Sequence, residues 1–364
     1  MNIDKIFDKV AAAERISEGE VLHLFESASL LELSRLATVV RSRNVDPSRV
    51  SYVIDRNVNY TNVCDIHCTF CAFHRNSRDA DSYILTTEEL RQKAAETKEL
   101  GGTGFLLQGG VNPELPWDYY LDMVSFLHND CGIWVHGFSP VEIRQMVKIN
   151  GLGLGGTLKA LKDAGLGSLP GGGAEMLVDG VRQRISPQKG SAADWIEVMD
   201  AAHSAGLQTT GTMMYGIGET IPERIEHLRI LRDQQDRALS RSNAGHHTAF
   251  TAWPFQSGNT PWKDKILEPT DVEYLRTIAV SRIFLDNFPH VQSSWVTMGH
   301  KIGQMALHYG CDDMGSLMIE ENVVSSAGTT HKVNREEIER MITLAGFEPW
   351  QRDNVYNPIC ASTR

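Results

Sequence analysis

Apolar and polar positions along the chain fall into blocks whose period switches between that of a helix and that of a strand. Near the start, Ser17-Glu-Gly-Glu20 and Ser29-Leu-Leu-Glu32 each place a hydroxyl three residues before a Glu, the signature of a capped helix start. Leu22, Leu24, Leu30, Leu31 and Leu33 supply apolar faces, so residues 1–50 read as a helical preface covering one end of a core. An extended segment begins at Val53-Ile54 and runs through Asn59-Tyr60. Thr86-Thr-Glu-Glu89 opens a helix that stops at Gly101, and Phe105-Leu106-Leu107 is the apolar run of a short buried strand. Helices are predicted around 119–128, 140–148 and 158–164, with strands at 133–136 and 168–169. Over 191–205, Trp195, Val198, Met199 and Ala202 recur at helical spacing. Strands over 208–214 and 248–253 flank a helix over 220–237. A capped helix over 270–284, strands over 291–296 and 316–319, and an Asn334-capped helix stopping at Gly346 complete the pattern.

Strands alternating with helices of about ten residues imply parallel βα units. About eight such units can be counted, which predicts an α/β fold, a (β/α)8 TIM-type barrel over residues 51–325. Residues 1–50 form a helical N-terminal extension, and residues 326–364 a C-terminal helical extension packed on the barrel. In such barrels the chemistry sits at the C-terminal ends of the strands. That rule gathers the stretch 64–71, Gln108-Gly-Gly, His136, Glu175, Gly216 and Trp253 on one face.

Composition narrows the partners. A net charge of −11 argues against a nucleic-acid ligand, which needs a basic surface. No apolar run approaches the ~20 residues that span a bilayer. The opening Met-Asn-Ile-Asp-Lys lacks the apolar core of a signal peptide, so a cytoplasmic protein with reduced thiols is expected.

The candidate chemistry is concentrated in Cys64-Asp65-Ile66-His67-Cys68-Thr69-Phe70-Cys71, a C-x3-C-x2-C loop with no fourth cysteine nearby. Cys131, Cys311 and Cys360 are scattered singly. Three thiolates on one short loop suit an iron–sulfur cluster with one iron left open, as a catalytic site requires. A structural zinc loop or an electron-transfer cluster would want four ligands. Elsewhere, Pro170-Gly-Gly-Gly-Ala-Glu175 follows a strand and suggests backbone packed against a ligand, or a flexible turn with a solvated Glu. Trp253-Pro-Phe-Gln256 and Trp295 suit either an aromatic-binding pocket or a buried core. A barrel-mouth His136 can carry protons or serve as a hydrogen-bonded structural group.

The spacing of the cysteines, with an aromatic between the second and third, resembles the radical S-adenosylmethionine (SAM) superfamily. The resemblance implies a [4Fe–4S] cluster on Cys64, Cys68 and Cys71, with SAM chelated to the open iron and cleaved to a 5′-deoxyadenosyl radical. It also implies SAM contacts from Phe70, Gln108, Gly109, Gly110, Glu175, Tyr215 and Gly216, and a carboxylate partner among Arg182, Arg184 and Lys189, of which Arg184 is the choice. Val111 stands where many members carry Glu. An electron donor such as a flavodoxin or ferredoxin is implied as partner.

From about Tyr52 to Gly328 the likeness is closer. Asp55-Arg-Asn-Val-Asn-Tyr-Thr-Asn62, His136-Gly-Phe-Ser-Pro140, Arg184-Ile-Ser-Pro187 and Ile319-Glu-Glu-Asn-Val-Val324 resemble the cyclic dehypoxanthine futalosine synthases of the futalosine route to menaquinone. Aminofutalosine synthase and the deazaflavin-forming synthases are the alternatives; a non-catalytic iron–sulfur or zinc binding module is the third. The resemblance implies that the radical takes the ribose C4′ hydrogen of dehypoxanthine futalosine and that the carbon radical closes on the aromatic ring. Asn59, Ser139, Trp253, Gln256 and Trp295 are expected around that substrate. His136 is expected to accept the departing proton, with Tyr60 as second choice.

Overall fold

In the computed structural model, which describes residues 3–359, ten parallel strands are wrapped by helices. The strands are β1 (Arg49–Val53), β2 (Asp55–Val58), β3 (Gly104–Leu107), β4 (Trp134–Gly137), β5 (Leu166–Leu169), β6 (Gln208–Tyr215), β7 (His247–Pro254), β8 (His290–Gln292), β9 (Asp313–Ser316) and β10 (Glu348–Arg352). Their order is β10-β1-β9-β8-β7-β6-β5-β4-β3-β2. β1 and β2 are halves of one extended stretch, separated by Ile54 alone. The first half pairs with β9 and the second with β3, so this stretch brings the sheet back on itself. Counted as one strand, it completes with β3 to β9 the eight-stranded barrel that the periodicity predicts.

The tenth strand is a departure. β10 runs parallel to β1 from Arg49↔Glu348 to Val53↔Arg352, so the segment after 325 adds a strand to the sheet as well as the predicted helix, Arg335–Leu344. Glu348-Pro-Trp-Gln-Arg352 reads poorly as a strand because Pro and charge dominate it, and Pro is confined to edge positions. Two strand predictions also shorten. β8 stops at Gln292, and the helix Trp295–Met305 begins where strand was expected to continue to 296. Of residues 316–319, only Ser316 is in β9. Met318 adopts a left-handed φ of 48°, while the Leu317 and Ile319 amides still reach the Val53 and Asp55 carbonyls.

The helix starts follow the local rules. Ser17, Ser29, Thr86 and Asn334 each close a reciprocal capping box with a Glu three residues on. The N-terminal helices Glu18–Ser27 and Leu30–Asn44 pack against the outer helices Ile221–Leu239 and Asp271–Phe284. Arg276 ties them there by donating to the Leu24 and Ala28 carbonyls at 3.2 and 2.6 Å. Among the described residues no helix is long and apolar enough to cross a membrane. Barrel strands are covered on both faces. Here the inward positions are largely polar, and they surround a cavity of about 460 Å³.

Candidate active site

β2 delivers the chain to the barrel mouth, where residues 59–75 form a loop held from several sides. The Cys64 amide donates to the Arg75 carbonyl, Asp65 to Val111, and Thr69 to Ile185, each at 3.0 Å. The Arg75 guanidinium donates to the carbonyls of Ala72, Phe73 and His74 at 3.2, 3.2 and 2.9 Å, closing the far end of the loop. The Trp262 indole donates to Thr69 Oγ1 at 2.9 Å. Cys64, Cys68 and Cys71 all line the cavity, with Cys68 Sγ 3.0 Å from Ser186 Oγ. Cys131 and Cys311 are buried elsewhere, and Cys360 lies outside the described residues. Among the described residues no three His, Cys, Asp or Glu side chains converge on a single metal ion. Three cysteine sulfurs from one loop on one cavity wall, with no fourth beside them among the described residues, fit a cluster with one iron free of protein.

Beside the thiols sits a buried ion pair. Lys189 Nζ lies 2.7 Å from Glu175 Oε1 and 4.9 Å above the Phe70 ring. Glu175 Oε2 is buried in the cavity wall with no partner, and the residue is held at a left-handed φ of 36°. An orphan carboxylate oxygen next to an ammonium and the thiols is what a zwitterionic ligand would complete. Arg184, the predicted carboxylate partner, is exposed and donates to the Gly180 and Gly218 carbonyls; Lys189 takes the cavity position instead. Arg182 is buried and supports the glycine turn through the Gly173 and Ala174 carbonyls.

The glycines answer to protein neighbours as much as to ligand. A Cβ on Gly109 would stand 2.6 Å from the Tyr60 ring, and one on Gly110 would stand 2.1 Å from the Val63 carbonyl. A Cβ on Gly172 would meet the Gln108 amide at 2.3 Å. Tyr60 is therefore a packing residue: it is fully buried against Tyr119, Tyr120 and Phe138 and stands behind the cavity wall, not on it. Its hydroxyl donates to Glu142 Oε1 at 2.7 Å, which removes it as a proton acceptor. Tyr215 and Gly216 also lie off the cavity. The Tyr215 ring packs under the Arg224 guanidinium, and a Cβ on Gly216 would meet Pro269.

Glu142 is the hub that the sequence reading passed over. It accepts from Tyr60, from the Gly109 amide at 3.0 Å, and from the Ser139 amide and hydroxyl at 2.7 and 2.6 Å. Ser139 lines the cavity, but its hydroxyl is spent on this cap. The available signal was the box Ser139-Pro-Val-Glu142 directly after a strand.

Gln108, Gly109, Gly110, Asn59, Trp253, Gln256 and Trp295 line the cavity as predicted. The Trp295 indole donates to the Ser316 carbonyl at 3.1 Å. His136 also lines the cavity, with its Nδ1 2.7 Å from Ser168 Oγ. The same oxygen receives the Trp134 indole N–H at 3.1 Å, and its second lone pair and its hydrogen both suit His136 Nδ1. Burial, reinforced by the Arg352 charge, pushes the ring down to about 3. With its charged form so disfavoured, the ring rests neutral on the cavity wall.

Residues 58–231 match the Radical SAM superfamily, and residues 244–363 match the CofH/MqnC C-terminal region. Cyclic dehypoxanthine futalosine synthase of Halalkalibacterium halodurans is 43% identical over 99% of this chain and 95% of its own. The Streptomyces coelicolor enzyme of that name is 40% identical over 98% and 89%. Aminodeoxyfutalosine synthase of Thermus thermophilus is 36% identical over 97% and 95%. Among solved structures, methylornithine synthase (PylB) shares the fold with a TM-score of 0.73 at 18% identity, covering 94% of this chain and 96% of that one. The hydrogenase maturase HydG of Carboxydothermus hydrogenoformans does so at 0.75 and 16%, covering 97% and 80%.

Proposed function

The chain belongs to the radical SAM superfamily, among the cyclic dehypoxanthine futalosine synthases and their near relatives, and from this premise we propose that it cyclises dehypoxanthine futalosine in menaquinone biosynthesis. The observation that carries the reading is the full-length identity of 43% to a cyclic synthase, against 36% to the aminodeoxyfutalosine enzyme. The family's cofactors are a [4Fe–4S] cluster and SAM, which when bound supply a 5′-deoxyadenosyl radical that takes the ribose C4′ hydrogen before the ring closes.

In this reading Cys64, Cys68 and Cys71 hold the cluster. Lys189 and Glu175 hold the carboxylate and ammonium of SAM, exchanging their mutual contact for the ligand's charges, while Phe70 and Gln108 flank it. The closed barrel excludes water and fixes the substrate's ring against its sugar. His136 donates a hydrogen bond from Nε2 to the substrate. The reductant is a small electron-transfer protein of flavodoxin or ferredoxin type. The reaction takes place in the cytoplasm, where thiols stay reduced.

The test is to reconstitute the protein anaerobically and incubate it with SAM and dithionite, once with dehypoxanthine futalosine and once with the aminodeoxyfutalosine synthase substrate. A product mass lower than the substrate by two hydrogens in the first mixture supports the cyclase. Product only in the second transfers the chain to the sibling activity.

A further inference from the structure

The cavity does not end at the thiols. On β2, alternate residues face inward, so Asp55, Asn57 and Asn59 form a column down one wall. Asp55 pairs with Gly104 at the start of β3, four residues before Gln108, which puts it about 13 Å below the Gln108-Gly109 turn at ~3.3 Å per residue. The segment around β10 supplies the rest of this floor through Arg352, Asn354 and Tyr356, and β8 supplies Gln292.

Hydrogen bonding on the floor is uneven. Arg352 is neutralised: Nε and Nη2 both donate to the Asp313 carboxylate, and Nη1 donates to the Asp353 carbonyl at 2.9 Å. Asp55 takes the Ser316 hydroxyl on Oδ1 and a second bond from the Asn354 side chain. Asn57 is 6% exposed, lines the cavity, and its Oδ1 is buried without any partner. The open position is therefore an acceptor, the Asn57 carbonyl, with the spare lone pairs of the Asp55 carboxylate beside it. Among the described residues the floor has no uncompensated cation for an anionic group. Acceptors stacked at a two-residue step on a strand, in a pocket that holds no spare positive charge, call for a ligand that brings hydroxyl hydrogens.

We propose that the barrel floor is a subsite for the furanose hydroxyls of the substrate, with Asp55 and Asn57 accepting from them. The inference rests on the cyclase reading above, whose substrate has lost its purine and keeps a hydroxylated ribose. It orients that substrate with its sugar hydroxyls toward Asp55 and Asn57 and its aryl carboxylate away from the floor.

Calorimetric titration of the cluster-loaded, SAM-bound, unreduced protein tests this with dehypoxanthine futalosine, an analogue lacking one ring hydroxyl, and an analogue lacking the aryl carboxylate. Asp55→Asn should weaken substrate binding by about tenfold or more, as for a lost hydrogen bond to a charged group. Asn57→Leu, which removes an unpartnered side-chain carbonyl, should weaken it by about three- to tenfold. Cluster content and SAM affinity should stay as in the wild type. The deoxy analogue should bind the wild type more weakly than the parent compound, and that difference should shrink in at least one variant. Wild-type affinity in both variants would overturn the subsite, as would a hydroxyl penalty that neither variant alters. So would variants that erase the penalty of the missing carboxylate instead, since the floor would then take the acidic end. A wild type that binds and converts no dehypoxanthine futalosine overturns the cyclase reading itself, and the subsite with it.

Discussion

At the scale of single residues, the site separates groups that look alike in sequence. The chain has six cysteines, and three of the five among the described residues face the cavity. Cys64→Ala, Cys68→Ala or Cys71→Ala should each abolish the visible absorption of the reconstituted cluster, whereas Cys131→Ala and Cys311→Ala should leave it. Loss of the chromophore in either of the last two would mean that the wrong thiols hold the iron. Glu175→Gln should lower SAM affinity about tenfold or more, because a charge-assisted hydrogen bond is worth roughly 1.5–3 kcal/mol. Unchanged SAM affinity with the cluster intact would return Glu175 to a structural role. His136 divides two mechanisms. As a donor it tolerates Gln, which keeps an N–H, and not Phe. His136→Gln should then keep cyclic product within about tenfold of wild type while His136→Phe loses more. A general base would lose 10²–10⁴-fold in both, with 5′-deoxyadenosine still forming in each. Equal, large losses of cyclic product in the two variants would restore His136 as the proton acceptor.

At the scale of elements, what was legible depended on whether the signal was local. The capping boxes at Ser17, Ser29, Thr86 and Asn334 could be read because cap and partner are three residues apart. The cysteine loop and Gln108-Gly-Gly were visible for the same reason. β10 was not, because a Pro-bearing, polar stretch becomes a strand only when β1 offers it an edge. Nor was the displacement of Arg184 by Lys189. The helix Asp179–Ile185 turns the first outward, and the short helical turn Pro187–Lys189 brings the second into the wall. Tyr60 looked like a candidate base and Gly109 like a ligand-binding residue, yet much of their demand comes from each other. The element that joins them is the N-terminus of the helix Pro140–Asn150, where Glu142 links β2, the Gly109 turn and Ser139. Glu142→Gln keeps the size and removes the charge, so the protein should lose about 1–3 kcal/mol as the donors around it lose their anionic acceptor. The Gly109 turn should loosen with it. Chemical denaturation reads the first effect, and faster proteolysis within residues 108–111 reads the second. A variant as stable as wild type would show that the hub is redundant.

At the scale of the whole molecule, the barrel closes on a seam that is polar rather than oily. Where β1, β2, β9 and β10 meet, Ser51 and Arg352 both donate to Asp313, and Ser316 donates to Asp55. Burial pushes the Asp55 carboxyl up to about 6; the Arg352 charge and the Ser316 and Asn354 bonds oppose that rise, and Asp313 adds to it. The native value thus lies above the ~3.9 of an unfolded aspartate. Between those two values the folded chain binds the more protons, so this group's contribution to stability falls as pH rises from about 4 to about 6 and is level above that. Asp55→Asn removes the titration. Relative to wild type it should gain little near pH 4 and up to on the order of 3 kcal/mol above pH 6. The difference between the two proteins cancels the other titrating groups, His136 among them, so thermal unfolding of the pair across pH 4–8 isolates Asp55. A gap that stays constant with pH would mean that Asp55 keeps an ordinary pKa and that its neighbours satisfy it fully. A widening gap, together with weaker substrate binding in the same variant, would mean that the resting protein carries a carboxyl poorly satisfied by its own chain. Such a group is kept at a cost to stability because a ligand supplies its missing partners.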